Sequence, residues 1–247
     1  MKISVVIPTY RRPQLLSACL AALSGQDLDK AHFEVIVVSD GPDVATRTVI
    51  DDWYQKGLLD LRYIPLNRKK GPAAARNKGW KAAVAQLVAF TDDDTLPDPH
   101  WLSGFLKAWD GIKPMAFTGK VVVPIPKEPT DYERNTARLA TADFVTANCA
   151  VTKDVLTALN GFDERFSIAW REDSDLEFRL LALKVPVLKI LDAVVVHPVR
   201  KAEWGVSIRE QKKNMYNALL YKKFPGMYRR KIQRRPAWNY YAMIAMI

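Results

Sequence analysis

A chain of 247 residues, 49% hydrophobic and 26% charged, has enough apolar side chain for a buried core, which excludes a disordered or collagen-like polymer. Its two cysteines, Cys19 and Cys149, lie far apart without metal-type spacing, which excludes a disulfide scaffold and suits a reducing compartment. The formal net charge of +10 is local: twelve Lys/Arg and two Asp/Glu stand between Arg200 and Arg235, leaving 25 basic and 25 acidic residues elsewhere. A neutral body with a basic end concerns partners, not fold.

Met1-Lys2 leads into an apolar run too short for the core of a secretory signal, so a cytoplasmic place, or the inner face of the cell membrane, is expected. Residues 3–7 read as a strand buried on both faces and closed by Pro8. Leu15, Leu16, Ala18, Cys19, Ala22 and Leu23 then recur at helical spacing over residues 13–23, with Pro13 suited to the first turn. A second strand spans 33–38 and ends at Ser39-Asp40-Gly41-Pro42; a helix over 46–54 and a short strand over 61–64 follow. Lys69-Lys70-Gly71-Pro72 breaks the chain before an alanine-rich helix over 73–85, and residues 87–90 make a fourth strand.

Strand and helix thus alternate four strands deep, the pattern of a mostly parallel α/β sheet with helices on both faces. Right-handed crossovers gather the strand ends at one edge, so Thr9, Tyr10, Asp40 and the run Asp92-Asp93-Asp94 are expected around one crevice. Further on, the pattern gives a helix over 101–109, a strand over 115–123, a Pro-rich loop over 124–131 and a strand over 147–151. A helix over 153–159 stops at Asn160-Gly161. A helix over 174–183 and a β-rich stretch over 185–197 complete the body.

Three adjacent carboxylates at a strand tip oppose one another's ionisation. A hard divalent cation among them relieves that repulsion, because such ions prefer oxygen ligands. A solvated turn beside Pro97 and Pro99 is the competing reading, and the cluster alone leaves both open.

Six motifs occur in one order: Val5-Val6-Ile7-Pro8-Thr9-Tyr10, Val38-Ser39-Asp40-Gly41, Ala75-Arg76-Asn77-Lys78-Gly79, Phe90-Thr91-Asp92-Asp93-Asp94, Gly161-Phe162-Asp163-Glu164 and Arg171-Glu172-Asp173-Ser174-Asp175-Leu176. Together they resemble glycosyltransferase family 2, inverting enzymes of the GT-A fold, over roughly residues 1–200. The resemblance implies a GT-A, Rossmann-like mixed sheet with a nucleotide-binding half (1–98), an acceptor-binding half (99–200) and a basic, partly helical extension (201–247). It implies transfer of one sugar from a nucleoside-diphosphate sugar, UDP-sugar favoured, to a glycan or lipid-linked acceptor, with Mn²⁺ or Mg²⁺. Pro8, Thr9, Tyr10, Arg12, Asp40, Arg76, Asp92 and Asp93 match nucleotide-binding positions; Asp94, Asp92 and His197 match metal positions. Asp173 matches the base that takes the acceptor's proton; capping of the helix behind it is the alternative, and the two are compatible. Glu172 and Trp170 fall at the acceptor side, where Trp170 either offers a flat face to a sugar or joins the core. Ser39 departs from the pattern, since many relatives have a second acidic residue there. No Gln and Arg-Trp at the spacing of processive enzymes occurs, so a single addition is expected.

The basic segment ends in residues 236–247, which are aromatic and apolar but shorter than the roughly 20 residues that span a bilayer. Aromatics beside a basic cluster suit a membrane interface, so peripheral membrane contact is expected, with packing on the domain as the alternative. No nucleic-acid module accompanies the charge, and nucleic acid is not an expected partner. Two other functions compete: a nucleotidyltransferase, which lacks here its Gly-rich loop after the first strand, and a non-catalytic basic module, which leaves the acidic residues without purpose.

Overall fold

The computed structural model describes residues 1–235 and Trp238. The expected alternation is present: β1 (Ile3–Thr9), α1 (Pro13–Ser24), β2 (Phe33–Ser39), α2 (Val44–Lys56), β3 (Leu61–Pro65), α3 (Pro72–Ala82) and β4 (Leu87–Thr91). Then come β5 (Leu96–Pro97), α4 (Trp101–Ala108), β6 (Ala116–Val122), α5 (Asp131–Ala137), β7 (Asn148–Thr152), α6 (Lys153–Ala158), α7 (Glu172–Ala182) and β8 (Val187–Val196). Helices α8 (Val206–Glu210), α9 (Met215–Lys223) and α10 (Pro225–Lys231) follow.

Successive residues of a strand face opposite ways, and that period of two builds the layers. Ile3, Val5 and Ile7 of β1, with Val35 and Val37 of β2 and Leu87 and Ala89 of β4, pack under Leu16, Leu20, Trp53, Trp101 and Phe105 of α1, α2 and α4. The intervening Val6, Ile36, Val38, Val88 and Phe90 face the other way, onto Ala73, Trp80, Leu156, Leu176 and Leu180 of α3, α6 and α7. Each such fully buried aliphatic or aromatic side chain contributes about 1.5–3 kcal/mol, so the sheet is held from both sides.

The eight strands run in the order β3-β2-β1-β4-β7-β6-β8-β5. The first four are mutually parallel, β6 and β8 are parallel, and β7 and β5 are antiparallel to their neighbours. Strand order reverses at β1, where β2 and β4 lie on either side, and a crevice opens there beyond the carboxyl ends. Tiny β5 positions the site: it follows the acidic run at once, and Leu96 pairs with Val196, which brings His197 beside Asp94.

Gly71 allows a second approach. Its φ is +98°, and a Cβ there would lie 2.3 Å from the Ser167 carbonyl oxygen, so only glycine lets the turn before α3 touch the segment before α7. Past residue 200, α9 and α10 fold back on α7: Tyr216, Leu220 and Tyr228 bury against Phe166 and Phe178. Lys223 bridges Asp163 and Asp175 across that contact. The expected membrane-contacting tip, residues 236–247, lies outside the described residues apart from Trp238. Among the described residues no helix is long and apolar enough to cross a membrane.

Candidate active site

The site is built on the tips of β1, β4 and β8. Thr91 ends β4 buried, its hydroxyl donating to the Ala147 carbonyl, so the following carboxylates are thrust into the crevice from a fixed base. Asp93 is nearly enclosed; Thr9 donates to it at 2.7 Å and Arg12 Nη1 at 3.1 Å. Burial pushes its carboxyl up to about 6, with Arg12 opposing and Asp94 adding. Asp94 is buried between two guanidiniums and an imidazole: Arg12 Nη1 lies 3.4 Å and Arg200 Nε 3.1 Å from Oδ2, and His197 Nε2 lies 3.6 Å from Oδ1.

Asp92 turns the other way, toward α3. Arg76, only 2% exposed, donates through Nη2 to Asp92 Oδ1 at 2.6 Å and through Nη1 to Glu172 Oε1 at 3.2 Å. One guanidinium therefore ties the acidic tip of β4 to the first turn of α7. The helix begins at Glu172, two residues before the expected start, with Glu172, Asp173 and Asp175 in its first turn, where free N–H groups favour negative charge. Arg171, immediately before it, sits in the left-handed region at φ 72°. Asp173 is half-buried inside the first turn, and its Oδ1 accepts from the neighbouring Ser174 N–H at 2.6 Å. Arg171 holds the N-cap position and no side chain caps the helix there, so the capping expected of Asp173 is not what this bond provides. Burial raises the Asp173 carboxyl above its ordinary value, opposed by the Ser174 N–H and by Arg171 and Arg76.

Burial likewise pushes Glu172 up to about 7, with Arg76 opposing and Asp173 adding. A carboxyl whose folded value lies above its unfolded one favours the fold while protonated. Its contribution is complete below the unfolded value, about 4.3, and is lost as pH rises toward 7. Glu172→Gln is therefore expected to flatten the fall of stability between about pH 4.5 and 7, read from urea midpoints across that range. A pH slope equal to the parent's would contradict this.

The remaining expected residues fall as follows. Pro8 lies within β1, opposite Val38. Tyr10 is half-buried, with Lys69 Nζ 4.2 Å and the Arg11 guanidinium 5.4 Å from its ring centroid. Asp40 is buried at the crevice edge, and its two oxygens accept from the Lys70 and Gly71 N–H groups at 2.6 and 2.9 Å. It thereby closes the turn ahead of α3, keeping one lone pair on each oxygen for another donor. Trp170 leans on the cluster formed with α9, and its Nε1 donates to Asn217 Oδ1 at 3.3 Å. Asp163 and Glu164 hold the loop: Asp163 receives Arg165 and Lys223, and Glu164 receives Asn77. Asp163 is held below the usual carboxylate range; partial burial works against this, but Arg165 and Lys223 prevail.

Asp92, Asp94 and His197 each offer a ligand atom, all within 4.8 Å of one another. The buried imbalance at His197 fits a cation: its Nδ1 has no hydrogen-bond partner, and 3.6 Å from Nε2 to Asp94 exceeds hydrogen-bond reach. Two carboxylates and an imidazole suit Mn²⁺ or Mg²⁺.

The sequence profile described as Glycosyl transferase family 2 matches residues 4–150. The chain belongs to glycosyl transferase family 2. Validoxylamine A glucosyltransferase of Streptomyces hygroscopicus subsp. limoneus is 26% identical over 254 residues, covering 87% of this chain and 53% of that protein. Chondroitin synthase of Escherichia coli is 26% identical over 275 residues, covering 93% of this chain and 39% of that protein. This family member thus spans about half, or less, of the length of those relatives.

The same fold recurs in solved structures. A fragment of S. aureus TarS in complex with UDP-GlcNAc superposes with a TM-score of 0.70 at 20% identity, covering 92% of this chain and 67% of that one. A mannosyltransferase from Pyrobaculum calidifontis, in complex with GDP-Man and Mn²⁺, gives 0.68 at 23% identity, covering 90% and 64%. The GT-A architecture expected of the family is therefore the one present. Family membership also sets aside the nucleotidyltransferase and the non-catalytic module.

Three residues at the site escaped sequence reasoning. Arg200 reaches Asp94; its only signal was its place three residues after His197. Asn217 accepts from Arg171 Nε at 2.7 Å and from Trp170, steadying the approach to α7 from 46 residues downstream in the chain. Lys223 ties α9 to α7, but in the sequence it is one more member of a basic run.

Proposed function

We propose that this chain transfers one sugar, with inversion, from a nucleoside-diphosphate sugar to an acceptor hydroxyl, and that a divalent ion is required. The observation that carries this reading is the convergence of Asp92, Asp94 and His197 within 4.8 Å at the switch point of the sheet, with Arg76 joining Asp92 to the turn that bears Asp173. An Mn²⁺ or Mg²⁺ held there offsets the negative charge that grows on a departing diphosphate.

The chain's own residues do the rest. Thr9, Tyr10 and Asp40 line the nucleoside side of the crevice; Tyr10 offers its ring, and Asp40 offers its remaining lone pairs to a base N–H. Arg12 and Arg76 pair with Asp93 and Asp92 and hold them in place, and Arg76 faces the diphosphate side. On the acceptor side, Asp173 takes the hydroxyl proton as the acceptor oxygen bonds to the anomeric carbon. The bond from that carbon to the diphosphate oxygen breaks, and its electron pair leaves with the diphosphate. A carboxylate is a weak base, and burial, which raises the Asp173 carboxyl above its ordinary value, makes it a stronger one. Glu172 orients this turn through Arg76, and Trp170 edges the acceptor side.

UDP-sugars are the favoured donors and a glycan or lipid-linked hydroxyl the favoured acceptor, with the basic end and residues 236–247 bringing the chain to a membrane surface. The nucleobase is the open choice, since the solved neighbours carry both UDP and GDP sugars. Incubation with a panel of UDP- and GDP-sugars, with Mn²⁺ or with EDTA, is expected to release nucleoside diphosphate from one donor class only with the metal. Equal release in EDTA would remove the metal from the reading.

A further inference from the structure

The charges around Asp94 suggest more than a passive metal site. Oxygen Oδ2 of Asp94 is shared by two guanidiniums, Arg12 at 3.4 Å and Arg200 at 3.1 Å. They differ in what else holds them. Arg12 lies nearer to Asp93, at 3.1 Å, and stays paired if Asp94 is taken away. Arg200 has Asp94 as its only ion-pair partner among the described residues, and its side chain is 40% exposed. It sits in residues 198–203, which form neither helix nor strand, so it can swing without breaking backbone pairing.

We propose that Arg200 is the chain's own stand-in for the divalent ion: it neutralises Asp94 while the ion is absent, yields that carboxylate when the ion enters, and then binds the donor's diphosphate. The inference rests on the metal reading of Asp92, Asp94 and His197.

Three arguments carry it. First, a guanidinium and an ion on the same carboxylate repel, so each weakens the other's hold on Asp94, and Arg200, which has no other ion-pair partner among the described residues, is the one that yields. Secondly, the exchange is cheap. Arg200 is 40% exposed, and buried Asp94 keeps Arg12 when Arg200 leaves, so the release costs the ion no more than about fivefold in affinity, the equivalent of about 1 kcal/mol. Thirdly, the displaced guanidinium has a destination. A diphosphate held by an ion on Asp94 would lie beside that carboxylate, and Arg200 already stands there, 3.1 Å from its Oδ2. The planar fork of arginine matches phosphate oxygens in pairs, which lysine cannot do. Arg76 is not available for this exchange, because Asp92 and Glu172 hold it and it is almost wholly buried.

The arrangement predicts effects of opposite sign. Titration calorimetry on the full chain would measure Mn²⁺ alone, then UDP at saturating Mn²⁺, for the parent, Arg200→Ala and Arg200→Lys. Arg200→Ala is expected to bind Mn²⁺ about fivefold more tightly and UDP about tenfold more weakly, a charge-assisted pair being worth about that factor. Arg200→Lys is expected to keep the parent's Mn²⁺ affinity and to recover only part of the UDP affinity. A merely structural role would move both ligands the same way. Unchanged or parallel shifts in Arg200→Ala overturn the exchange while leaving the metal site intact. A parent that binds no Mn²⁺ overturns the metal reading itself, and the exchange with it.

Discussion

Asp173→Asn is expected to lower sugar transfer by about 10²- to 10⁴-fold, the usual worth of a positioned general base, while UDP and Mn²⁺ bind as they do to the parent. The substitution is close to isosteric, and the amide oxygen can still accept from the Ser174 N–H that the carboxylate now engages, so the turn keeps its shape. What is lost is the charge that takes the proton. Since burial raises the Asp173 carboxyl, the neutral amide also removes an unfavourable buried charge, and the variant should unfold no more easily than the parent. Donor turnover with acceptor present and calorimetry with UDP and Mn²⁺ separate the two effects. Turnover within a few-fold of the parent would take the base role away from Asp173.

Arg76→Met is expected to destabilise the fold by about 3–5 kcal/mol, because it leaves two carboxylates near or within the core without their shared partner. For a chain of this length that is a fall in Tm of about 10 °C. The loss comes from the charges left behind and not from the missing contact: Glu172 is buried at 4% exposure, and Asp92 is held by Arg76 at 2.6 Å. Adding Glu172→Gln to Arg76→Met is therefore expected to restore part of the Tm, and Mn²⁺ should restore more by giving Asp92 a new partner. Additive losses in the double variant would show that Arg76 acts by packing alone.

Much of this was legible because it depends on local pattern. The first four strands lie where continuous apolar runs end in turn residues, and the observed strands extend the expected ones by one or two residues. From the parallel order alone, Thr9, Asp40 and Asp92 to Asp94 had to meet, and they do. Helix α5 went unread: it begins at the last residue of the Pro-rich loop expected over 124–131, although Thr130 and Glu133 form a reciprocal capping box that announces it. What no local pattern reveals is which distant side chain answers a charge. Arg76 finds Glu172 across 96 positions, and Lys231 finds Glu177 across 54. The helices beyond residue 200 read as a charged appendage because their apolar residues stand among many Lys and Arg. Their partner surface, Phe166 and Phe178, exists only once α7 is in place.

The most direct measurement is the position of Mn²⁺ in crystals grown with Mn²⁺ and UDP, located by anomalous scattering. The account predicts one peak at coordination distance, about 2.0–2.6 Å, from Asp94 and His197, with the diphosphate on its open side and Arg200 turned away from Asp94. A peak elsewhere, or UDP ordered in the crevice with Arg200 still on Asp94 and no ion between, would contradict it.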